Sequence, residues 1–183
     1  MKRDINSNGY IFLYSTILVV VVAVLLTAAA LWLQPYQQRN KENEKRMMIL
    51  SAARANEDGK IEFVDGDLPI YLVNDETTVL PMKGNGLWGP IWGYLAIAPD
   101  GKTIVGVTFD HKSETPGLGG EITTEKFQHQ FAGKQVVDHG DLIPVEFDAI
   151  TGATKTSNGV KEMIDNTLDK YSAYLQQFGE KGE

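Results

Sequence analysis

Cysteine is absent from the 183 residues, and histidine occurs only three times. The chain therefore offers no thiolates for an iron–sulfur cluster and no Cys-x-x-Cys-His for covalent haem. His111, His129 and His139 are scattered without ligand spacing, and Asp65, Asp67, Asp138 and Asp141 read as turn acids, so no metal site built from protein ligands alone is expected. Excess positive charge is missing too. The formal net charge is −7, and no basic stripe interrupts it. That excludes nucleic acid as a partner, because phosphate neutralisation needs a positive surface. No glycine-rich dinucleotide fingerprint and no internal repeat is found. Any redox chemistry would have to ride on a cofactor held by something other than sulfur.

What the chain does contain is an extreme hydrophobic run. Tyr10 to Leu33 carries no formal charge and includes Ile17-Leu18-Val19-Val20-Val21-Val22-Ala23-Val24-Leu25-Leu26. As a helix, this run reaches about 36 Å, enough for a hydrocarbon core of about 30 Å with some tilt. A cleavable leader is the competing reading, since Thr27-Ala28-Ala29-Ala30 supplies small residues. The apolar part is too long for one, however, and Leu31-Trp32-Leu33 continues it past the cleavage point, so a retained transmembrane anchor is expected. Tyr10, Trp32 and Tyr36 fall where interfacial aromatics belong. Charge does not decide orientation: Lys2 and Arg3 precede the span, while Arg39, Lys41, Lys45 and Arg46 follow it, interleaved with Glu42 and Glu44.

The expected division is an amino-terminal segment 1–9, a transmembrane helix 10–33, a juxtamembrane helix or stalk 34–58, and one folded domain 59–183. Gln37 to Asn56 reads as a polar helix with Met47, Met48 and Leu50 on one side, ended by Gly59. Ile61 to Phe63 and Leu68 to Val73 are β-like, with Asp65-Gly66-Asp67 as their turn. Ile91 to Ala98 and Thr103 to Phe109 predict a core hairpin around Pro99-Asp100-Gly101-Lys102. A short helix is expected over Thr123 to Phe131, strands over Gln135 to Val137 and Pro144 to Phe147, and a final amphipathic helix carrying Val160, Met163, Ile164, Leu168, Tyr171, Leu175 and Phe178. Strands and helices mix without regular βαβ alternation, so the fold class is α+β: one transmembrane helix followed by one mixed domain.

Two motifs carry chemistry. Asp148-Ala149-Ile150-Thr151-Gly152-Ala153-Thr154-Lys155-Thr156-Ser157 places a threonine hydroxyl beside small residues, just before the final helix. Thr156, Ser157 and Asn158 are cap-type residues, and free amides with the helix dipole favour an anion there, with Lys155 adding countercharge. Alone, Gly-Ala-Thr reads as a loop with a helix cap. The second motif, Glu114-Thr115-Pro116-Gly117-Leu118-Gly119, is a glycine-rich turn whose backbone can approach a flat ring, with Pro116 stiffening it.

Together, and in this order, the two motifs resemble the covalent FMN-binding domain family, whose attachment signature is an Asp followed three residues later by Ser or Thr, then Gly-Ala-Thr. The resemblance implies that Thr154 is the acceptor of an FMN phosphoester, delivered from FAD by a flavin transferase. It further implies that Asp148 serves recognition or fixes the loop, and that Thr151, Gly152, Ala153, Lys155 and Thr156 surround the attachment. Glu114, Thr115, Pro116, Gly117 and Leu118 would lie beside the flavin, while Leu87, Trp88 and Trp92 could shield or stack on it. Leu and Trp at such spacing also suit a plain core role. Gly86-Leu87-Trp88-Gly89-Pro90-Ile91-Trp92-Gly93-Tyr94-Leu95-Ala96 brings the likeness closest to flavin-carrying subunits of membrane-bound Na+-translocating NADH:quinone reductases, with Rnf-type subunits similar.

In that setting the chain would relay electrons and hold no catalytic residue of its own. Companion subunits would contain the NADH site, the quinone site and the ion path. Segment 1–9 would be cytoplasmic, and the flavin domain would lie on the outer side of the bacterial inner membrane. Gly89-Pro90 departs from the family, where polar residues are expected, and the chain is shorter than many members. A stand-alone extracytoplasmic flavoprotein, or a membrane-anchored binding module without cofactor, are the alternatives.

Overall fold

A computed structural model of the chain describes residues 8–138 and 141–179. Lys2, Arg3 and most of segment 1–9 lie outside the described residues, as does His139. Two compact units result, 1–44 and 45–183.

In the first unit the hydrophobic run is helical, within α1 (Asn8–Ala52). Among the described residues α1 is the one helix long and apolar enough to cross a membrane. Along the run 10–33 the apolar side chains are exposed, Phe12, Leu25 and Leu26 among them. Aromatic pairs mark both ends of the run: Tyr10 stacks on Tyr14, and Trp32 meets Tyr36 edge to face. Pro35, just past the run, is tolerated inside α1 although it removes one helical hydrogen bond.

The second unit is built on an antiparallel meander in which sheet order follows chain order: β1 (Ile61–Val64), β2 (Ile70–Val73), β3 (Thr77–Asn85), β4 (Pro90–Ile97) and β5 (Ile104–His111). After β5 come a 3-10 turn (Gly119–Thr123), a four-residue α2 (Glu125–Gln128) capped by the Thr124 side chain, and a second 3-10 turn (His129–Phe131). A small ladder of β6 (Val137–Asp138) and β7 (Asp141–Leu142) precedes α3 (Thr154–Gly179).

Strand alternation gives the sheet two apolar faces, and each is covered by a helix. Leu80, Met82, Ile91, Leu95 and Ile97 pack under Val160, Met163, Ile164, Leu168 and Tyr171 of α3. Val73, Val79, Ala96 and Tyr71 pack under Ile49, Leu50 and Ala52, the last turns of α1. β5 serves both faces through a register shift: Ala96 pairs with Gly106 and Ile97 with Ile104, leaving Val105 between them. The extra residue reverses the alternation, so Ile104, Val107 and Phe109 all reach the α3 side while Val105 reaches the α1 side.

The expected β1–β2 hairpin and the β4–β5 core hairpin are present, and the α+β class holds. Other elements differ. Part of the expected stalk belongs to the domain, because Ile49, Leu50 and Ala52 pack on the sheet, and α1 stops at Ala52, before Gly59, with Arg54 at φ 52° just beyond. The central strand β3 is an addition to the expected elements. Pro144 to Phe147 forms no strand, and Gln135 makes only an isolated bridge to Thr103. The helix expected over Thr123 to Phe131 is divided between the four-residue α2 and the 3-10 turns on either side of it.

Candidate functional site

Three loops converge where α3 begins: the β3–β4 turn at 86–89, the segment after β5 at 112–118, and the turn at 148–153. The group that joins them is the Glu114 carboxylate, which is 4% exposed. One of its oxygens accepts from the Trp88 backbone N–H at 2.8 Å, and the other from the Thr156 hydroxyl at 2.6 Å. Two glycines make room for it. A Cβ on Gly86 would stand 2.5 Å from Glu114 Oε1, and one on Gly119 would overlap Glu114 Oε2. The Glu114 N–H donates to His111 Nδ1 at 3.2 Å, which fixes the segment to the end of β5. The side chain of Glu114 thus points inward as a tie between loops, leaving Thr115, Pro116, Gly117 and Leu118 at the surface.

The three threonines of the attachment motif have different fates. α3 starts at Thr154, not after the cap-type triplet, because Thr156 and Ser157 turn their hydroxyls inward and are buried. Ser157 Oγ accepts from the Ile150 N–H at 3.0 Å and donates to the Ala153 carbonyl at 3.1 Å, and the Ala153 N–H bonds the Ile150 carbonyl, so the turn is closed on itself. Gly152 makes that turn at φ 80°, a conformation that disfavours side chains, with Leu118 packed over it. Thr156 is committed to Glu114. Thr154, the first helical residue, is exposed, as are Thr151 and Lys155. The amides of Thr154, Lys155 and Thr156 belong to the first turn, where a helix leaves its N–H groups without intrahelical acceptors.

Around this point the surface is apolar. Leu87, Trp88 and Leu118 are 47%, 65% and 42% exposed, large apolar side chains turned to the surface beside one another's loops. Trp92 does not join them: it alternates with Ile91 and therefore faces the side of the sheet opposite α3.

Asp148 and Thr151 line a separate cavity of about 480 Å³ with Ile150, Phe127, Lys126 and Gln130. The Asp148 carboxylate is exposed and makes no hydrogen bond among the described residues. Its backbone is held instead by Gln130, whose Oε1 accepts from the Asp148 N–H at 2.7 Å and whose Nε2 donates to the Asp148 carbonyl at 3.4 Å. The sequence does not announce Gln130, because nothing in its neighbourhood marks a glutamine 18 positions upstream as a clamp. Of the other histidines, His129 contacts Arg54 and Glu125.

Sequence and fold are similar to those of known proteins. The family described as the FMN-binding domain aligns with residues 86–169, a span that begins at the Glu114-facing Gly86 and runs through the attachment turn into α3. The matched span holds all three of the converging loops and the start of α3. It is similar to the C subunit of the Na+-translocating NADH-quinone reductase of Chlamydia muridarum, with 32% identity over 158 residues, covering 71% of this chain and 50% of the relative. The same-named protein of Vibrio vulnificus is 34% identical over 147 residues, covering 71% and 57%. The chain thus spans about half the length of the curated relatives it matches. The crystal structure of the corresponding Parabacteroides distasonis protein superposes with a TM-score of 0.67 at 29% identity, covering 78% of this chain and 96% of that one. Shewanella oneidensis NqrC, at 23% identity and TM-score 0.63, shares the fold, with 76% of this chain and 99% of that one covered.

The residues gathered here fit FMN, the group named in the description of the matching family. An exposed hydroxyl stands at a helix N-terminus suited to phosphate. A glycine turn leaves room for approach, and three exposed apolar side chains stand ready to cover a flat ring.

Proposed function

We propose that Thr154 carries FMN through a phosphoester, and that the chain relays electrons as one subunit of a membrane-bound Na+-translocating NADH:quinone reductase. The observation that carries the attachment is the contrast between Thr154, whose side chain is exposed, and Thr156, buried and hydrogen-bonded to Glu114. In maturation the Thr154 oxygen would bond the FMN phosphorus of FAD, with AMP leaving and the hydroxyl proton released. FMN, when bound, supplies one- and two-electron transfer. The chain's own residues position and shield. Lys155 and the first-turn amides of α3 would neutralise the phosphate, Leu87, Trp88 and Leu118 would exclude water from the ring, and Glu114 would hold the loop bearing Trp88 against the helix bearing Thr154. Asp148 and Thr151 would present the acceptor turn to the flavin transferase from the cavity they line.

The relay role rests on the reductase relatives, on a fold without a dinucleotide fingerprint, and on the apolar helix. NADH and quinone would bind to companion subunits, residues 10–33 would span the bacterial inner membrane, 34–58 would connect, and 59–183 would lie on its outer side. Co-expression with a flavin transferase, followed by intact-mass measurement, tests the attachment: the wild-type chain should gain the mass of an FMN phosphoester, Thr156→Ala and Thr151→Ala should keep it, and Thr154→Ala should lose it. An unmodified wild-type chain overturns the proposal. Copurification with NADH-oxidising, quinone-reducing partners tests the relay role, and full activity of the isolated chain would contradict it.

A further inference from the structure

A second cavity, of about 520 Å³, opens where β2 stops short along β3, and its walls come from β1 to β4, α3 and the last turns of α1. Its donors are unusual for a chain with 24 acidic and 17 basic residues. Lys45, Lys83 and Lys170 converge on it, and no Asp or Glu lines it. Among the described residues none of these three ammonium groups has a carboxylate within ion-pair distance. Lys45 and Lys170 instead lie over rings, 4.9 Å from the Tyr71 centroid and 5.7 Å from that of Tyr171.

The phenols add to the set. Tyr71 and Tyr94 meet edge to face at 6.0 Å, and neither hydroxyl has a hydrogen-bond partner among the described residues. Burial, with the neighbouring Tyr71, pushes the Tyr94 phenol up to about 12, so it remains a neutral O–H donor. The Tyr171 hydroxyl is already spent on the Pro69 carbonyl at 2.7 Å, which fixes its ring as a wall. The volume lies within the range of about 300–1,000 Å³ usual for small-molecule sites, and such sites pair aromatic walls with a few converging polar groups.

We propose that this cavity is a binding site for a small organic anion, a phosphate or carboxylate carried on a flat ring, separate from the Thr154 site. Ammonium and phenol donors without a facing carboxylate select negative charge, and the exposed Phe63 and half-buried Tyr94 rings, backed by buried Tyr71 and Tyr171, take the flat body. The inference is independent of flavin attachment.

The test is calorimetric titration of the full chain in detergent micelles, with AMP as the anionic ring probe, adenosine as its neutral counterpart and inorganic phosphate as the ringless one. AMP should bind, with adenosine and phosphate each weaker by roughly tenfold or more. The double variant Lys83→Gln/Lys170→Gln, at two exposed positions, should weaken AMP by a similar factor, Tyr94→Phe should weaken it by a smaller one, and Thr154→Ala should leave it unchanged. Absence of AMP binding up to about 10 mM at low salt, equal affinity for adenosine or phosphate, or an unaltered double variant would each overturn the proposal.

Discussion

Replacing Glu114 by alanine should be among the most damaging single changes in the domain outside its apolar core. The carboxylate accepts two hydrogen bonds, one from the β3–β4 turn at 2.8 Å (the Trp88 amide) and one from the first turn of α3 at 2.6 Å (the Thr156 hydroxyl), in a place where water is excluded. Hydrogen bonds to a charged group contribute about 1.5–3 kcal/mol each, and the abandoned donors keep their desolvation cost. A loss of about 3–5 kcal/mol follows, or a fall in Tm of roughly 10–20 °C for a domain of this size. Glu114→Gln keeps one acceptor oxygen for the Trp88 amide and lets the Thr156 hydroxyl rotate, so it should cost only about 1–2 kcal/mol. Thermal unfolding in micelles, followed by near-ultraviolet circular dichroism, measures both. Pairing Glu114→Ala with Thr156→Val should show a coupling above about 1 kcal/mol, since the two share a bond. An alanine variant within about 1 kcal/mol of wild type, or a glutamine variant as damaged as the alanine one, would refute the view that this carboxylate joins the three loops.

Burial alone would raise the Asp100 carboxyl, but bonds from the Thr103 hydroxyl and the Lys102 and Thr103 amides outweigh it and hold it below its ordinary value. Its contribution is therefore present above the unfolded-state value and lost as pH falls through the lower folded one, so Asp100→Ala should cost at most about 1 kcal/mol near neutrality, since the group is exposed and screened, and less in strong acid, measured by unfolding across pH. Asp165 is the opposite case: burial first, then Asp169 and Glu146, raise it despite Lys161. Asp165→Asn should stabilise slightly above the raised value, with the gain vanishing as pH falls below the unfolded one; a gain that persists in acid would contradict this. Gln130→Ala frees the backbone of Asp148, and should slow FMN attachment in a timed transferase reaction while leaving the final extent intact.

Much of the architecture is legible in the sequence because its signals are local. The charge-free run, the Pro-Asp-Gly turn between β4 and β5, and the apolar spacing of α3 each declare an element within a few residues. β3 is hidden because Pro81, Lys83 and Gly84 interrupt its β-type pattern, and tertiary partners on both flanks impose the strand. The turn before α3 is recognisable from Gly152, but the cap-type look of Thr156 and Ser157 points to a later helix start than the true one. Only the buried Glu114 and the Ile150 amide reveal that their hydroxyls point elsewhere. Glu114 stands out in the sequence for its backbone, whereas its side chain carries the structural role, since a contact across 42 positions leaves no trace in local spacing. The Gln130 clamp is invisible for the same reason.

The most direct test is in-gel flavin fluorescence of the full chain after boiling in detergent, following co-expression with a flavin transferase. A fluorescent band at the chain's own mass, lost in Thr154→Ala and kept in Thr156→Ala, is the predicted result. A colourless wild-type band, or fluorescence that survives Thr154→Ala, would contradict the account.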